Sequence, residues 1–327
     1  MATEDDLLTR FNKDGFVVIP SLVKGDDLTT LQEAATRTAN KARAGDWPYV
    51  RTVGKQFPPW DRWDRPAAQA AAAAQDGGIW GVQHLMHPDL GPDAAVFTRS
   101  YFAEGGALDV AKRLLASRSG DGGESDGGGG GGDKSDDVLV LELYNMLVRP
   151  DYRDFALRWH RDDIPPDTPA DAELARLRAP AWHAQWNLAL WTDDSLVVVP
   201  GSHRRARTAA ERAADPYADV LPVQAEAAAM VVHLQPGDAV FYNNNILHRG
   251  VYKTAVARAT LHGSVGHVGG SRQRARNVLQ HGVGAWVDRI NLSGLTTAAE
   301  RARAAGMRDR LVRLGQASGD VGYSLRE

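Results

Sequence analysis

The chain has 327 residues, a formal net charge of −3 and no cysteine. A charge balance this close to neutral gives no basic surface for nucleic acid, so nucleic acid is not an expected partner. Without cysteine the chain has neither disulfides nor thiolate metal sites.

The sequence also carries no visible targeting or membrane signal. The N-terminus is acidic and lacks the apolar core of a secretory signal. No apolar run reaches the roughly 20 residues that span a bilayer. We therefore expect a cytoplasmic protein with no membrane partner.

The first third of the chain predicts helices between short strands. A short helix leads into a β-rich run at residues 16–19, which a proline ends. Asp26 is expected to cap a helix over residues 27–44. A second helical stretch covers residues 94–115 and breaks at Gly105-Gly106.

An aromatic and proline-rich segment covers residues 47–66. Two interpretations stay open: its rings fill the core, or they form a lid over a substrate mouth. An alanine-rich helix is predicted at residues 67–74. His84 and His87 follow a strand, and their spacing matches no metal triad, so we expect them to line a pocket wall or cap a turn.

Residues 117–137 form a polar segment with six consecutive glycines. Such a composition cannot bury apolar surface, so we predict a disordered insertion in a surface loop. The run lacks a following Lys-Ser/Thr and helix, which excludes a phosphate-binding P-loop.

The second half of the chain predicts mainly strands. An apolar strand is expected at residues 138–148, a short helix near 168–177, and strands at 182–191 and 196–199. A turn at residues 192–195 predicts that the last two strands form a hairpin inside a small barrel. Further strands are expected at residues 230–234, 239–242 and 251–261.

The C-terminal extension, residues 270–327, is basic at its start and helical near its end. Arg272, Arg274 and Arg276 alternate with neutral residues, which indicates a solvated face or, alternatively, a dock for an anionic substrate group. Thr297 begins a capping-box pattern before a helix. This extension is expected to cover one end of the barrel or to form a homodimer contact.

The rest of the chain is organised around His160, Asp162 and His248. Two imidazoles and one carboxylate form a facial triad that holds iron(II) and leaves the opposite positions open. His160 and Asp162 are two apart, so on an extended segment their side chains share a face. Arg258 falls on the returning strand, where it could take a carboxylate in a bidentate pair. An isolated His-x-Asp is also common as a loop histidine before a turn, so this pattern alone leaves both interpretations open.

Five motifs follow one another along the chain: residues 11–20 (FNKDGFVVIP), His160-Arg161-Asp162, residues 198–203 (VVPGSH), Pro236-Gly237-Asp238, and His248 with Arg258. In this order and at these spacings they resemble the phytanoyl-CoA dioxygenase family. The resemblance covers about residues 8–266.

The resemblance implies a non-haem oxygenase that uses Fe(II), 2-oxoglutarate and O2. Carried over position by position, it implies that His160, Asp162 and His248 bind iron. It also implies that Arg258, helped by Thr260, binds the C5 carboxylate of 2-oxoglutarate. Further contacts to this co-substrate are expected at Met146, Gln185 and Asn187.

The chain departs from the family at two places near this site. Asn187 stands where relatives usually have a tryptophan, which puts its contact with the co-substrate in doubt. Asp193-Asp194-Ser195 replaces their usual Asn-Gly turn, which we interpret as a shortened hairpin. His203 matches a histidine that is structural in the family.

The fold that the resemblance implies is mainly β: a double-stranded β-helix, or jelly roll, with flanking helices. Because the triad residues straddle any cut, residues 1–327 are expected to form a single domain. The implied reaction is hydroxylation or a related oxidation of a small to medium, partly apolar substrate, with release of succinate and CO2. The carboxylate of Asp162 favours hydroxylation, since halogenases of this superfamily have a small residue there.

Two alternative functions stay open. A cupin-type metal enzyme that does not use 2-oxoglutarate would share the barrel, but Arg258 would then have no dicarboxylate to bind. A catalytically silent binding protein would also share it, but would have no need for three converging metal ligands.

Overall fold

The computed structural model describes residues 4–53, 78–116, 136–180, 182–222, 228–270, 278–279 and 281–318. The α-helices in these ranges are α1 (Glu4–Asp14), α2 (Gly25–Arg43), α3 (Pro92–Phe102), α4 (Ala107–Ala116), α5 (Ala170–Arg178), α6 (Ala209–Ala213) and α7 (Ala298–Ser318). The strands are β1 (Phe16–Ile19), β2 (Val50–Thr52), β3 (Ile79–Val82), β4 (Leu139–Val148), β5 (Phe155–Ala156), β6 (His183–Ala189), β7 (Leu196–Val198), β8 (Met230–Val231), β9 (Ala239–Tyr242), β10 (His248–Tyr252) and β11 (Ala259–His267).

The strands form two antiparallel sheets. The large sheet has seven strands in the order β1-β9-β6-β11-β4-β3-β2, and the small sheet has four in the order β5-β10-β7-β8. Strands from distant parts of the sequence alternate within each sheet, which is typical of a jelly roll. The predicted mainly β architecture with flanking helices is therefore confirmed.

The two faces of the large sheet have different neighbours. Residues directly opposite each other in antiparallel strands share a face. Leu261 lies opposite Met146 and Leu188, and all three join a core cluster with residues of α2, α3 and α4. Ala189 and Tyr242 point the other way and cluster with residues of β7 in the small sheet. The interior of the fold lies between the two sheets, on this second face.

Several helix boundaries agree with the sequence. The break at Gly105-Gly106 separates α3 from α4. Thr208 and Glu211 form the reciprocal hydrogen bonds of a capping box at the start of α6. The start of α2 corrects the prediction, since the helix begins at Gly25 and its N-cap, Lys24, makes no side-chain cap. Asp26 lies inside the first turn instead, where its carboxylate interacts favourably with the positive end of the helix dipole.

The predicted hairpin between β6 and β7 is wrong. β6 belongs to the large sheet and β7 to the small one, so the chain between them crosses from one sheet to the other. Asp193 lies at this crossing and forms an isolated antiparallel bridge with Leu234. We call residues 190–195 the sheet-crossing corner.

Trp47 and Trp186 are packing residues. Trp47 is 2% exposed and donates from Nε1 to the carbonyl oxygen of Gln83, 3.0 Å away. Trp186 is fully buried in the core on the helix side of the large sheet. The core-filling interpretation therefore holds for Trp47, while residues 54–66 of the aromatic segment lie outside the described residues.

Other predictions also fall outside the described ranges. They are the alanine-rich helix at residues 67–74, nearly all of the glycine-rich segment, and Arg272, Arg274 and Arg276. Within the described residues, none of the helices combines the length and apolarity that a membrane span requires.

Candidate metal centre

The fold brings His160, Asp162 and His248 together. His248 is the first residue of β10. The backbone N–H of His160 donates to the carbonyl oxygen of His248 at 3.0 Å, and the backbone N–H of His248 donates to that of His160 at 3.1 Å. Asp162 Oδ1 lies 3.4 Å from His160 Nε2 and 3.6 Å from His248 Nε2. The ligand atoms of all three lie within 4.8 Å of one another, so a single metal ion can reach them.

Backbone carbonyls fix the tautomer of both imidazoles. Nδ1 of His160 donates to the carbonyl oxygen of Arg158, 2.7 Å away, and Nδ1 of His248 donates to that of Ile246, 2.9 Å away. With the proton held on Nδ1, each Nε2 presents a lone pair towards Asp162 and its histidine neighbour. This arrangement is the usual outer support of a metal-bound histidine.

Asp162, the third candidate ligand, is held as a carboxylate. Its backbone N–H donates to Asn244, 2.9 Å away, and Gln185 Nε2 donates to its Oδ2, also at 2.9 Å. Burial alone would raise the pKa of Asp162, but the imidazoles of His248 and His160 and the Gln185 amide outweigh it. The pKa therefore lies well below its usual value, and the group is ionised at neutral pH.

The donor set fits iron(II). Burial lowers the pKa of His248 to about 4, and His160 acts in the same direction, so His248 is neutral at pH 7. Two imidazoles and one carboxylate suit this ion. The side chains of His160 and Asp162 are 25% and 33% exposed, against 7% for His248, so one side of the cluster stays open.

Arg161, between two of the ligands, anchors their segment to the protein. Its Nε donates to Glu173 Oε1 on α5 at 2.7 Å, and its terminal nitrogens donate to the carbonyl oxygens of Ser202 and Arg205 at 3.0 and 2.9 Å. Arg161 and Glu173 are both buried. Because neighbouring residues of an extended segment point to opposite sides, this anchor turns His160 and Asp162 towards the interior.

Arg258 lies immediately before β11, beside Thr260, as expected. Its Nη2 donates to Thr260 Oγ1 at 2.9 Å, and its guanidinium lies 4.8 Å from the centre of the Tyr252 ring. His248 and Tyr252 are four residues apart on β10 and therefore point to the same face of that strand. The candidate metal ligands and Arg258 thus face one shared interior.

A chain of hydrogen bonds reaches Asp162 from the buried side. Glu142 Oε2 lies 2.7 Å from His183 Nδ1, and His183 Nε2 lies 3.1 Å from Gln185 Oε1. Gln185 in turn donates to Asp162. Since the ionised Asp162 only accepts, the Gln185 oxygen must face His183, and His183 must carry a proton on Nε2. The chain fixes the orientation of the Gln185 amide.

The remaining predicted pocket residues lie on different faces. Asn187 shares its face with Gln185, two residues along β6, and its Oδ1 accepts from His262 Nδ1 at 2.8 Å. Met146 lies opposite Leu261 in the core on the helix side and is fully buried. This corrects its expected position, because alternate residues of β4 point to opposite faces.

Three further histidines have structural contacts. His87 caps a short 3₁₀ helix by accepting from the backbone N–H of Asp89, as expected. His84 has a positive φ of 63°; its Nε2 donates to the carbonyl oxygen of His281, and its Nδ1 accepts from Trp286. His203 Nε2 donates to the carbonyl oxygen of Asn12 at 3.1 Å. The contacts of His84 and His203 join separate segments of the chain, whereas that of His87 is local.

Two charged residues of this interior were not singled out from the sequence. Asp193, interpreted as part of a turn, is 2% exposed and pairs with Arg258. Arg51 on β2 lies 5.5 Å from the Trp80 ring centre, and burial lowers its pKa to about 10, although Asp162 acts in the opposite direction. Neither residue belongs to a motif, so only their positions in space identify them.

Comparison with known proteins finds a matching family model and several solved structures of similar fold. The family model described as "Phytanoyl-CoA dioxygenase (PhyH)" matches residues 11–258. A search of curated proteins gives no match.

Similar solved structures include EctD from S. alaskensis with 2-oxoglutarate and 5-hydroxyectoine, with a TM-score of 0.53 and 16% identity over 83% of this chain and 78% of that chain. The same protein with bound Fe gives a TM-score of 0.50 and 17% identity over 82% and 78%. AviO1 from Streptomyces viridochromogenes Tue57 gives 0.49 and 19% identity over 81% and 96%. At these identities the likeness to EctD shows the fold.

Proposed function

This chain belongs to the phytanoyl-CoA dioxygenase family and is a 2-oxoglutarate-dependent dioxygenase that uses iron, and from that premise we propose that it hydroxylates a small to medium, partly apolar organic molecule. The observation that carries the proposal is the convergence of His160, Asp162 and His248 with their Nε2 and Oδ1 atoms facing one point. These three residues are the proposed iron ligands.

In the proposed reaction, bound iron supplies oxygen activation, which couples decarboxylation of 2-oxoglutarate to succinate and CO2 with insertion of one oxygen atom into a substrate C–H bond. Asp162 would offer Oδ1 to the metal, since Gln185 donates to its Oδ2. Arg258 and Thr260 receive the distal carboxylate of 2-oxoglutarate. This assignment is supported by Arg258 Nη1, a buried nitrogen to which the described residues offer no hydrogen-bond acceptor.

The type of reaction and the substrate class rest on two features. A carboxylate at position 162 would fill the coordination position that a halide needs in the halogenases of this superfamily, which favours hydroxylation. Trp80, Phe155 and Tyr252 pack against one another, with ring centres 4.8 to 5.4 Å apart, beside Arg258. These rings make the surroundings of Arg258 apolar, which supports a substrate that is partly apolar.

The test is an anaerobic titration of metal-free protein with Fe(II) and then with 2-oxoglutarate. A weak visible charge-transfer band reports chelation of the 2-oxo acid by the metal. We expect the band in the wild type, its loss in His160→Ala, and a much higher 2-oxoglutarate requirement in Arg258→Ala.

His233→Ala is the matched control. His233 is a histidine with a 71% exposed side chain that contacts Asp194, so its removal should leave the band unchanged. Iron binding without any band would overturn the co-substrate assignment and favour a cupin-type enzyme. Failure to bind metal at all would overturn the proposed site.

A further inference from the structure

The residue proposed to receive 2-oxoglutarate already has a carboxylate partner. Arg258 Nε donates to Asp193 Oδ1 at 2.8 Å, and Nη2 approaches Asp193 Oδ2 at 3.3 Å. Both side chains are 2% exposed. This is a side-on bidentate pair, the strongest geometry between these two groups.

Asp193 is held in this position independently of Arg258. Its backbone N–H and carbonyl both bond to Leu234, each at 3.0 Å, at the sheet-crossing corner. Its Oδ1 accepts from the backbone N–H of Ser195 at 3.3 Å, and its Oδ2 accepts from the Ser195 hydroxyl at 3.0 Å. With two bonds at each oxygen, the carboxylate is fully satisfied. The corner therefore presents a built acceptor for the arginine.

The pair leaves defined donors for a ligand. Arg258 Nη1 is buried and has no hydrogen-bond partner in the described structure. Thr260 accepts from Nη2 through its oxygen, so its hydroxyl hydrogen is available to another acceptor. A ligand's distal group therefore meets two donors. The summed charge of Arg258 and Asp193 is zero, however, so a negative charge on that group gains far less than from a lone guanidinium.

We propose that Asp193 sets the co-substrate selectivity of this site: by neutralising Arg258, it lets the pocket bind 2-oxo acids with an uncharged distal end nearly as well as 2-oxoglutarate. The inference rests on the proposed function, in which Arg258 receives the distal end of the co-substrate. It assigns to Asp193 a role in specificity that is separate from the metal.

The experiment compares two 2-oxo acids on the iron-loaded protein without oxygen. 2-Oxoglutarate is compared with 2-oxopentanoate, which has the same five-carbon chain with a methyl group in place of the C5 carboxylate. Dissociation constants come from the charge-transfer band. For the wild type we expect the two constants to differ by less than about tenfold. A larger preference for 2-oxoglutarate would overturn the proposal.

Asp193→Asn keeps the size of the side chain and removes its charge. We expect the preference for 2-oxoglutarate to rise on the order of tenfold, through tighter binding of the dicarboxylate with little change for 2-oxopentanoate. Asp194→Asn is the matched control, since that neighbouring carboxylate is 57% exposed and contacts the exposed His233 rather than Arg258. An unchanged or lower preference in Asp193→Asn would contradict the proposal.

Two further results separate the possible failures. Ser195→Ala keeps the charge of Asp193 and should keep the wild-type preference; a rise there would show that geometry, not charge, sets selectivity. If Asp193→Asn does not fold, the wild-type comparison still decides. If neither acid binds the iron-loaded wild type, or if Arg258→Ala binds 2-oxoglutarate normally, the proposed function fails rather than this inference.

Discussion

The Asp193–Arg258 pair shows how one buried contact can matter both for stability and for ligand binding. Two charges that leave water together lose hydration, and only a well-formed pair recovers it. Here four hydrogen bonds satisfy the carboxylate, and Tyr252 lies against the guanidinium. Removing one partner leaves the other charged, buried and poorly solvated.

Asp193→Ala should therefore lower the free energy of unfolding by roughly 3–5 kcal/mol, because it leaves the Arg258 charge buried without compensation. The double variant Asp193→Leu, Arg258→Met should recover much of this loss. Urea denaturation of the three proteins gives the measurement. A double variant as unstable as the single one would show that the pair itself supplies the stability.

At Gln185 a neutral side chain supports a charged one. Gln185→Leu should weaken Fe(II) binding by roughly 10- to 100-fold, because the Asp162 oxygen that does not face the metal loses its donor. Asn187→Leu, on the same face of β6 but without a contact to Asp162, provides the comparison. Anaerobic Fe(II) titration measures both variants, and equal affinities would argue against a supporting role for Gln185.

At the scale of elements, α5 stabilises the ligand segment through a single side chain. Glu173 is fully buried and binds Arg161, Arg207 and Arg212 together. These contacts fix the segment that carries His160 and Asp162 against a helix that contributes no ligand. The position of the ligands thus depends on an ion-pair cluster outside the interior.

Glu173→Gln should lower both the stability and the Fe(II) affinity of the protein, because three guanidinium groups lose their shared charge partner. Asp171→Asn, an exposed change on the same helix, should leave both unchanged. Thermal unfolding and metal titration together test this. A loss of stability with normal Fe(II) affinity would mean that the cluster does not position the ligands.

Local sequence signals predicted most elements, because capping boxes, glycine breaks and apolar runs act within a few residues. The capping box of Thr297 and the break at Gly105-Gly106 are examples. The sheet-crossing corner was not predicted. A sequence of strand, polar turn and strand is compatible both with a hairpin and with a connection between two sheets. What distinguishes the two structures here is the contacts of Asp193 with Leu234 and Arg258, which are distant in sequence.

The candidate site was likewise predictable only in part. His160 and Asp162 lie two apart on one segment, and their shared face follows from strand geometry. The sheet face to which Met146 and Gln185 point depends instead on the register of their strands. A shift of that register by one residue moves every side chain of the strand to the opposite face. One sequence does not determine that register, so Met146 was expected on the face that Leu147 occupies.

At the scale of the whole molecule, buried histidines join segments and couple folding to pH. Burial lowers the pKa of His84 to about 3, because its ring is enclosed between the segments that carry His281 and Trp286. In the unfolded chain a histidine titrates near 6.5. As the pH falls, the His84 imidazole therefore binds a proton in the unfolded state before it does so in the folded state. The contribution of neutral His84 to the free energy of unfolding is complete above about pH 6.5 and is lost as the pH falls below that value.

For His84 alone this loss should reach about 2 kcal/mol at pH 5. His84→Asn removes the titrating group, and asparagine tolerates the positive φ at this position. The variant should therefore lose less stability than the wild type between pH 7 and pH 5. Urea denaturation at both pH values measures the difference, and parallel losses in the two proteins would show that His84 does not titrate on unfolding.

The backbone bridge between His160 and His248 also bears on how the protein is made. These residues are far apart in sequence, and β10 must pair before their rings can face each other. While the chain is being synthesised, His160 and Asp162 leave the ribosome long before His248. A nascent chain therefore lacks one of the three proposed iron ligands for much of its synthesis, so we expect it to bind iron only once His248 has emerged.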